Sequence, residues 1–148
     1  MLNPDFRDIL SAFCEEKVEF LVVGGYAMAF HGFVRATGDI DLWIRCSDEN
    51  ACRVWRALQK YGAPLFDLTL EDLKTPGIVF QIGIVPSRID VLTQISGVEF
   101  DEAWQEHQTV EIEGLQIPVI GKTHLLVNKK QTGRPKDNTD ILWLENEE

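Results

Sequence analysis

Two aspartates one residue apart, Asp39 and Asp41, open an otherwise apolar stretch, Asp39-Ile40-Asp41-Leu42-Trp43-Ile44. The spacing predicts a strand on which both carboxylates leave one face while Ile40, Leu42 and Ile44 leave the other. No other feature constrains the chain as much. The apolar face must be covered by a core, and two carboxylates beside it cost free energy unless a cation or a donor meets them. Upstream, residues 18–23 form an apolar run of the length of one buried strand. Gly24-Gly25 follow at once, and residues 26–31 read as one or two helical turns closed by Gly32. Glycines there let backbone N–H groups approach a phosphate, whose charge the start of a helix favours. A polar loop, Arg35-Ala36-Thr37-Gly38, joins that helix to the carboxylate strand.

The remaining chain supplies both kinds of element. Phe6, Ile9, Leu10 and Phe13 mark the apolar face of a helix from Asn3 or Pro4 to about residue 16. Ser47 is a good N-cap for a helix over residues 48–61 that buries Val54, Trp55 and Leu58 and ends at Gly62. Residues 67–74 leave a short helix and an irregular loop both open. Strands are predicted over 78–82 and 88–92, the second with Asp90 in apolar company, where by itself it reads as a partner for Arg88 or another base. A short helix over 100–107 and a hairpin around Glu113-Gly114 follow. A helix from Lys122 to about 131, a break over 132–135 and a last helix over 136–145 complete the chain. The class is α/β or α+β: a mixed β-sheet flanked by helices.

At 148 residues the simplest organisation is one domain with a real core. Its 45% hydrophobic and 26% charged residues are ordinary for a soluble globular protein. No apolar run approaches the length needed to span a bilayer, so no membrane partner is expected. The first ten residues, MLNPDFRDIL, lack the basic and apolar regions of a secretion signal. Cys14, Cys46 and Cys52 cannot all pair and have no zinc-site spacing. Reduced thiols in the cytoplasm are the expectation. A net charge of −10 argues against a protein that coats nucleic acid, yet leaves room for a nucleotide or a local basic patch. Residues 122–136 form such a patch: Lys122, Lys129, Lys130, Arg134 and Lys136 with no acid. They suit either a solvated helix face or a phosphate-binding wall, with Lys129 and Arg134 the candidate ligands.

Gly24-Gly25, Asp39-Ile40-Asp41 and the later Asp90 together resemble the signature of the nucleotidyltransferase superfamily, with thirteen residues between Gly25 and Asp39. The run from Arg35 through Thr37 to Leu42, and the tail Asn128-Lys129…Gly133-Arg134-Pro135-Lys136-Asp137…Asp140, resemble a small branch of it. That branch is related to nucleotidyltransferase-like components of toxin–antitoxin and abortive-infection systems. The resemblance implies an NTP substrate and Mg²⁺ or Mn²⁺ held by Asp39, Asp41 and Asp90, which it also makes the catalytic residues. It implies nucleotide contacts from Gly24, Gly25, Arg35, Thr37, Lys129 and Arg134. Elementary chemistry agrees with it, because nucleotidyl transfer needs developing negative charge neutralised, and clustered carboxylates can hold divalent ions for that purpose. Two readings remain open. One is an enzyme that moves an NMP group onto a hydroxyl of a protein, an RNA end or a small molecule. The other is a non-catalytic nucleotide-binding or regulatory module acting through a partner protein or self-association. His31 reads as a packed or capping histidine, and Trp43, Trp55, Trp104 and Trp143 as core, with Trp43 able to border the site.

Overall fold

The structure, a computed structural model, describes residues 2–34, 38–84 and 86–146. Its strands are β1 (Phe20–Val23), β2 (Asp39–Ile44), β3 (Val79–Ile82), β4 (Arg88–Leu92), β5 (Gln108–Ile112) and β6 (Leu115–Val119). Its helices are α1 (Pro4–Glu15), α2 (Gly24–Phe30), α3 (Asp48–Tyr61), α4 (Phe100–Gln105), α5 (Lys122–Thr132) and α6 (Asn138–Asn146). The strands form one six-stranded sheet in the order β3-β4-β2-β1-β6-β5. It is mixed: β1–β6 and β2–β4 are parallel, and β1–β2, β3–β4 and β5–β6 antiparallel. Helices flank the sheet, as expected for this class.

Local chemistry explains the element ends. The Asn3 side chain accepts from the Phe6 N–H at the head of α1, ahead of Pro4. Ser47 accepts from the Asn50 N–H at the head of α3, and Gly62 ends that helix in the left-handed conformation. Asn50 is itself buried and ties three segments together. It accepts from the Glu19 N–H and donates to the carbonyls of Glu19 and Arg45, fixing α3 to the start of β1 and the end of β2. Residues 67–74 contain only a single 3₁₀ turn, Asp72–Lys74, pinned by buried Leu73.

The core is one cluster that unites Phe6, Ile9, Leu10 and Phe13 of α1 with β1, with Ile40, Leu42 and Ile44 of β2 and with Val54 and Leu58 of α3. Trp55, Trp104 and Trp143 differ from expectation: each is only partly buried, packed against that cluster. α1 and α3 pack on each other. Several boundaries also differ from the sequence reading: α4 ends at Gln105 rather than 107, and α6 begins at Asn138 rather than 136, after a 3₁₀ turn over Pro135–Asp137. β1 starts at Phe20 rather than residue 18, and α2 begins at Gly24 itself, so the glycines are the first turn of the helix rather than a loop before it. Among the described residues, no helix is long and apolar enough to cross a membrane.

Candidate active site

Strand register assembles the site. β2 and β4 run parallel with Asp39 opposite Arg88 and Asp41 opposite Asp90. Cross-strand partners share a face, so three carboxylates and one guanidinium occupy a two-by-two grid on one side of the sheet. The other side of β2 carries the fully buried Ile40, Leu42 and Ile44. On the opposite edge of β2, Val23 of β1 lies across from Asp41, and the chain turns there into α2. Gly24 has φ +70°, and a Cβ at this position would lie 2.3 Å from Asp41 Oδ2. Only glycine fits both demands. The sequence reading assigned the glycine to phosphate approach; what it accommodates within the protein is the Asp41 carboxylate.

Arg88 binds two of the three acids. Its Nε donates to Asp90 Oδ1 at 2.8 Å, and its Nη2 donates to Asp39 Oδ2 at 2.7 Å and to Asp90 Oδ2 at 3.2 Å. Asp90 is 7% exposed. Asp41 is half-buried, and its carboxyl is pushed up to about 6, first by burial and then by the charges of Asp90 and Asp39, with Arg88 opposing. Among the described residues, the trio's three carboxylates meet one guanidinium, that of Arg88.

Three carboxylates on adjacent strands are the hard oxygen donors that Mg²⁺ or Mn²⁺ prefers, and the proton-seeking Asp41 marks a place where a cation would be favourable. On donor chemistry the residues fit a divalent ion. Among the described residues, however, no group of three or more His, Cys, Asp or Glu side chains is arranged to hold a metal. Arg88 bridges Asp39 and Asp90 instead.

Asp41, Asp90 and Gly24 line a cleft of about 310 Å³, whose wall includes Asn128, Lys129, Thr132 and Arg134 from the end of α5 and the turn after it. The basic tail and the carboxylates thus meet in one cavity. Gly25 and Asp39 are not among its lining residues. Lys129 is 2% exposed, and its Nζ lies 3.2 Å from Asp137 and 2.9 Å from Asp140, both buried. Burial works against the charge of Asp137, but hydrogen bonds from Arg134, Thr132 and Lys129 outweigh it and hold its carboxyl below the usual range. Arg134 is half exposed and donates its Nε to Asp137 Oδ2 at 2.8 Å. Arg35 and Thr37 lie outside the described residues.

Sequence reasoning left Asn128 and Thr132 out of the site; Arg88 entered it only as a candidate partner of Asp90, and that pairing is present. Arg88 carried a readable signal, since it stands two residues before Asp90 on a strand and so shares its face. Asn128 and Thr132 are four apart on α5, one helical row. Trp43 is buried on the ring of Phe100 and lines a different cavity. The His31 ring bonds the carbonyl of Ile120 at 2.6 Å, a packing role.

Comparison with known proteins points the same way. The profile of a family described as "Nucleotidyltransferase of unknown function (DUF6036)" matches residues 6–145. A crystal structure of a Thermotoga maritima protein, provisionally assigned as a nucleotidyltransferase, is similar over 100% of this chain and 97% of its own, at 17% identity and TM-score 0.64. The aminoglycoside nucleotidyltransferase ANT(2″)-Ia, solved with adenylyl-2″-tobramycin, is similar over 94% of this chain and 82% of its own, at 17% identity and TM-score 0.59. At that identity the two structures establish a shared fold. No curated protein matches the sequence.

Proposed function

This chain belongs to a nucleotidyltransferase family whose members' function is undefined, and from that premise we propose that it transfers an NMP group from an NTP to a hydroxyl acceptor. The acceptor oxygen forms a bond to the α-phosphorus, the bond from that phosphorus to the β-phosphate oxygen breaks, and pyrophosphate leaves. The acceptor's proton passes to Asp90 or to water. Asp39, Asp41 and Asp90 would hold Mg²⁺ or Mn²⁺, which when bound supplies charge neutralisation for the triphosphate and lowers the pKa of the attacking hydroxyl. Gly24 keeps the start of α2 close to Asp41, and Gly25 with the first-turn amides meets phosphate oxygens. Arg134, half exposed at the cleft, contacts phosphate directly. Lys129 is committed to Asp137 and Asp140, so its role is to hold that wall in place. Arg35 and Thr37, which precede β2 in the sequence and lie outside the described residues, complete the nucleotide contacts.

The observation that carries this reading is the charge excess at Asp41, a half-buried carboxyl raised to about 6 beside two further acids and facing an open cleft. Crowded acids of this kind are costly to a fold and mark sites where charge is used. A second reading, a non-catalytic module of a toxin–antitoxin type system that acts through a partner protein, is favoured by one fact: Arg88 already bridges Asp39 and Asp90.

Incubation with NTPs labelled at the α-phosphate, Mg²⁺ and cell extract separates the two. Label should appear covalently on a protein, an RNA end or a small molecule, and the Asp39→Asn/Asp41→Asn double variant should transfer none. No transfer by the unaltered protein with any NTP, or equal transfer by the double variant, rejects the enzymatic reading.

A further inference from the structure

We infer that Arg88 is a resident competitor of the divalent ion: its guanidinium clamps the acidic trio while no metal is bound and must leave before Asp39 and Asp90 can serve as ligands. The inference rests on the proposed metal site and adds to it a positioning residue that controls access. Arg88 takes Oδ2 of Asp39 and both oxygens of Asp90, oxygens of two of the three carboxylates proposed to hold the cation. A guanidinium presents a rigid planar fork, and here that fork spans two carboxylates on two strands at once. Two cations sharing the same oxygens repel at close range in a partly desolvated cleft.

The position of Arg88 allows the exchange. Asp39 and Arg88 are the first residues of β2 and β4, at the end of the strands rather than their middle. The Arg88 side chain is 27% exposed, so it can turn to solvent without crossing the core. Lys129 shows the contrast: with its side chain 3% exposed between two buried acids, it has nowhere to go. Arg88 is held by hydrogen bonds on one side and open on the other, as a removable counter-ion should be.

Manganese titration of the nucleotide-free protein, read by the electron paramagnetic resonance of free Mn²⁺, tests this. Arg88→Gln should bind Mn²⁺ roughly ten- to a hundredfold more tightly than the unaltered protein, and Arg88→Lys, a point charge that cannot span both acids, should fall between. The melting temperature of Arg88→Gln should drop without metal and recover with it. A merely structural Arg88 would lower it in both conditions and leave affinity unchanged or weaker. A second readout needs no variant: the ¹⁵N–¹H signal of the Arg88 Nε–H should lose its protection from solvent exchange when Mg²⁺ is added. Mn²⁺ binding by the unaltered protein, with equal or weaker binding by Arg88→Gln and an unchanged Nε–H, overturns the competitor while leaving the metal site standing. No Mn²⁺ binding by any of the three proteins overturns both.

Discussion

Two acidic clusters in this molecule meet across one cleft and are built to opposite rules. At the ends of α5 and α6, Lys129 and Arg134 face Asp137 and Asp140, two cations against two acids, and the groups at the centre are sealed from water. On β2 and β4, among the described residues, three acids face one guanidinium, and the carboxyl of the most crowded of them, Asp41, is pushed up to about 6. The first arrangement closes on itself and can only stabilise. The second crowds acids at the wall of an open cavity, so it keeps something in reserve for a ligand. Acidic residues are present in both; what separates a strut from a working site is whether the charges cancel.

The largest effect should come from unbalancing the closed cluster. Lys129→Met takes the one buried cation among the described residues away from two carboxylates that are 1% and 0% exposed, and removing one partner of a buried pair costs roughly 3–5 kcal/mol. Urea denaturation should show that loss, and adding Asp137→Asn should recover part of it. A loss near zero would mean the two clusters do not differ as described.

The open cluster should respond with the opposite sign. Asp41 has a folded value of about 6 against 3.8 for the free group, so the folded state binds more protons between those values and stability falls as pH rises through that window. Above about pH 6 the penalty is complete, about 3 kcal/mol at most. Asp41→Asn should therefore be more stable than the unaltered protein at pH 7 without metal, and should lose the fall in stability that Asp41 causes between about pH 4 and 6, while transfer activity disappears. A destabilised Asp41→Asn would show that the carboxylate is a structural partner.

Arg134 belongs to the closed cluster but reaches the cleft, so it should sharpen the boundary between them. Arg134 is half exposed and Asp137 keeps its bonds from Lys129 and Thr132 without it, so Arg134→Ala should cost only about 1 kcal/mol of stability. A lost charge-assisted hydrogen bond to phosphate is worth roughly 1.5–3 kcal/mol, so NTP affinity should fall about ten- to a hundredfold with nucleoside affinity unchanged. Calorimetry with both ligands reads the difference, and equal NTP affinity would return Arg134 to the structural side.

β2, α3 and β4 were legible residue for residue, because local signals govern them: strict alternation, a serine cap, a terminating glycine. The same alternation placed Asp39 and Asp41 on one face. It could not show that Arg88 would stand opposite Asp39, since that depends on which strand pairs with β2 and in what register. Nor was the fate of Lys129 readable. It looked like one cation in an exposed basic helix, and its partners come eight and eleven residues later, beyond a glycine break. α5 has no clean apolar stripe, and its buried positions include Leu125 and that lysine, so periodicity gave no warning. Gly24 was found for an incomplete reason: the sequence shows a flexible turn, but the carboxylate pressed against it comes from another strand.

The parallel pairing of β2 with β4 also sets when the site's charges meet. Asp39 and Arg88 are 49 positions apart, and parallel strands cannot be joined by a tight turn. β2 can pair with β1, its antiparallel neighbour, after a far shorter closure, while Asp39 and Asp41 still face water and are screened. Closing the longer loop is the slow kind of step, and it is then that Asp90 arrives beside Asp41. Because Arg88 travels on the same strand two residues ahead of Asp90, the attraction arrives with the repulsion. The chain never passes through a stage in which three acids are gathered without their counter-ion.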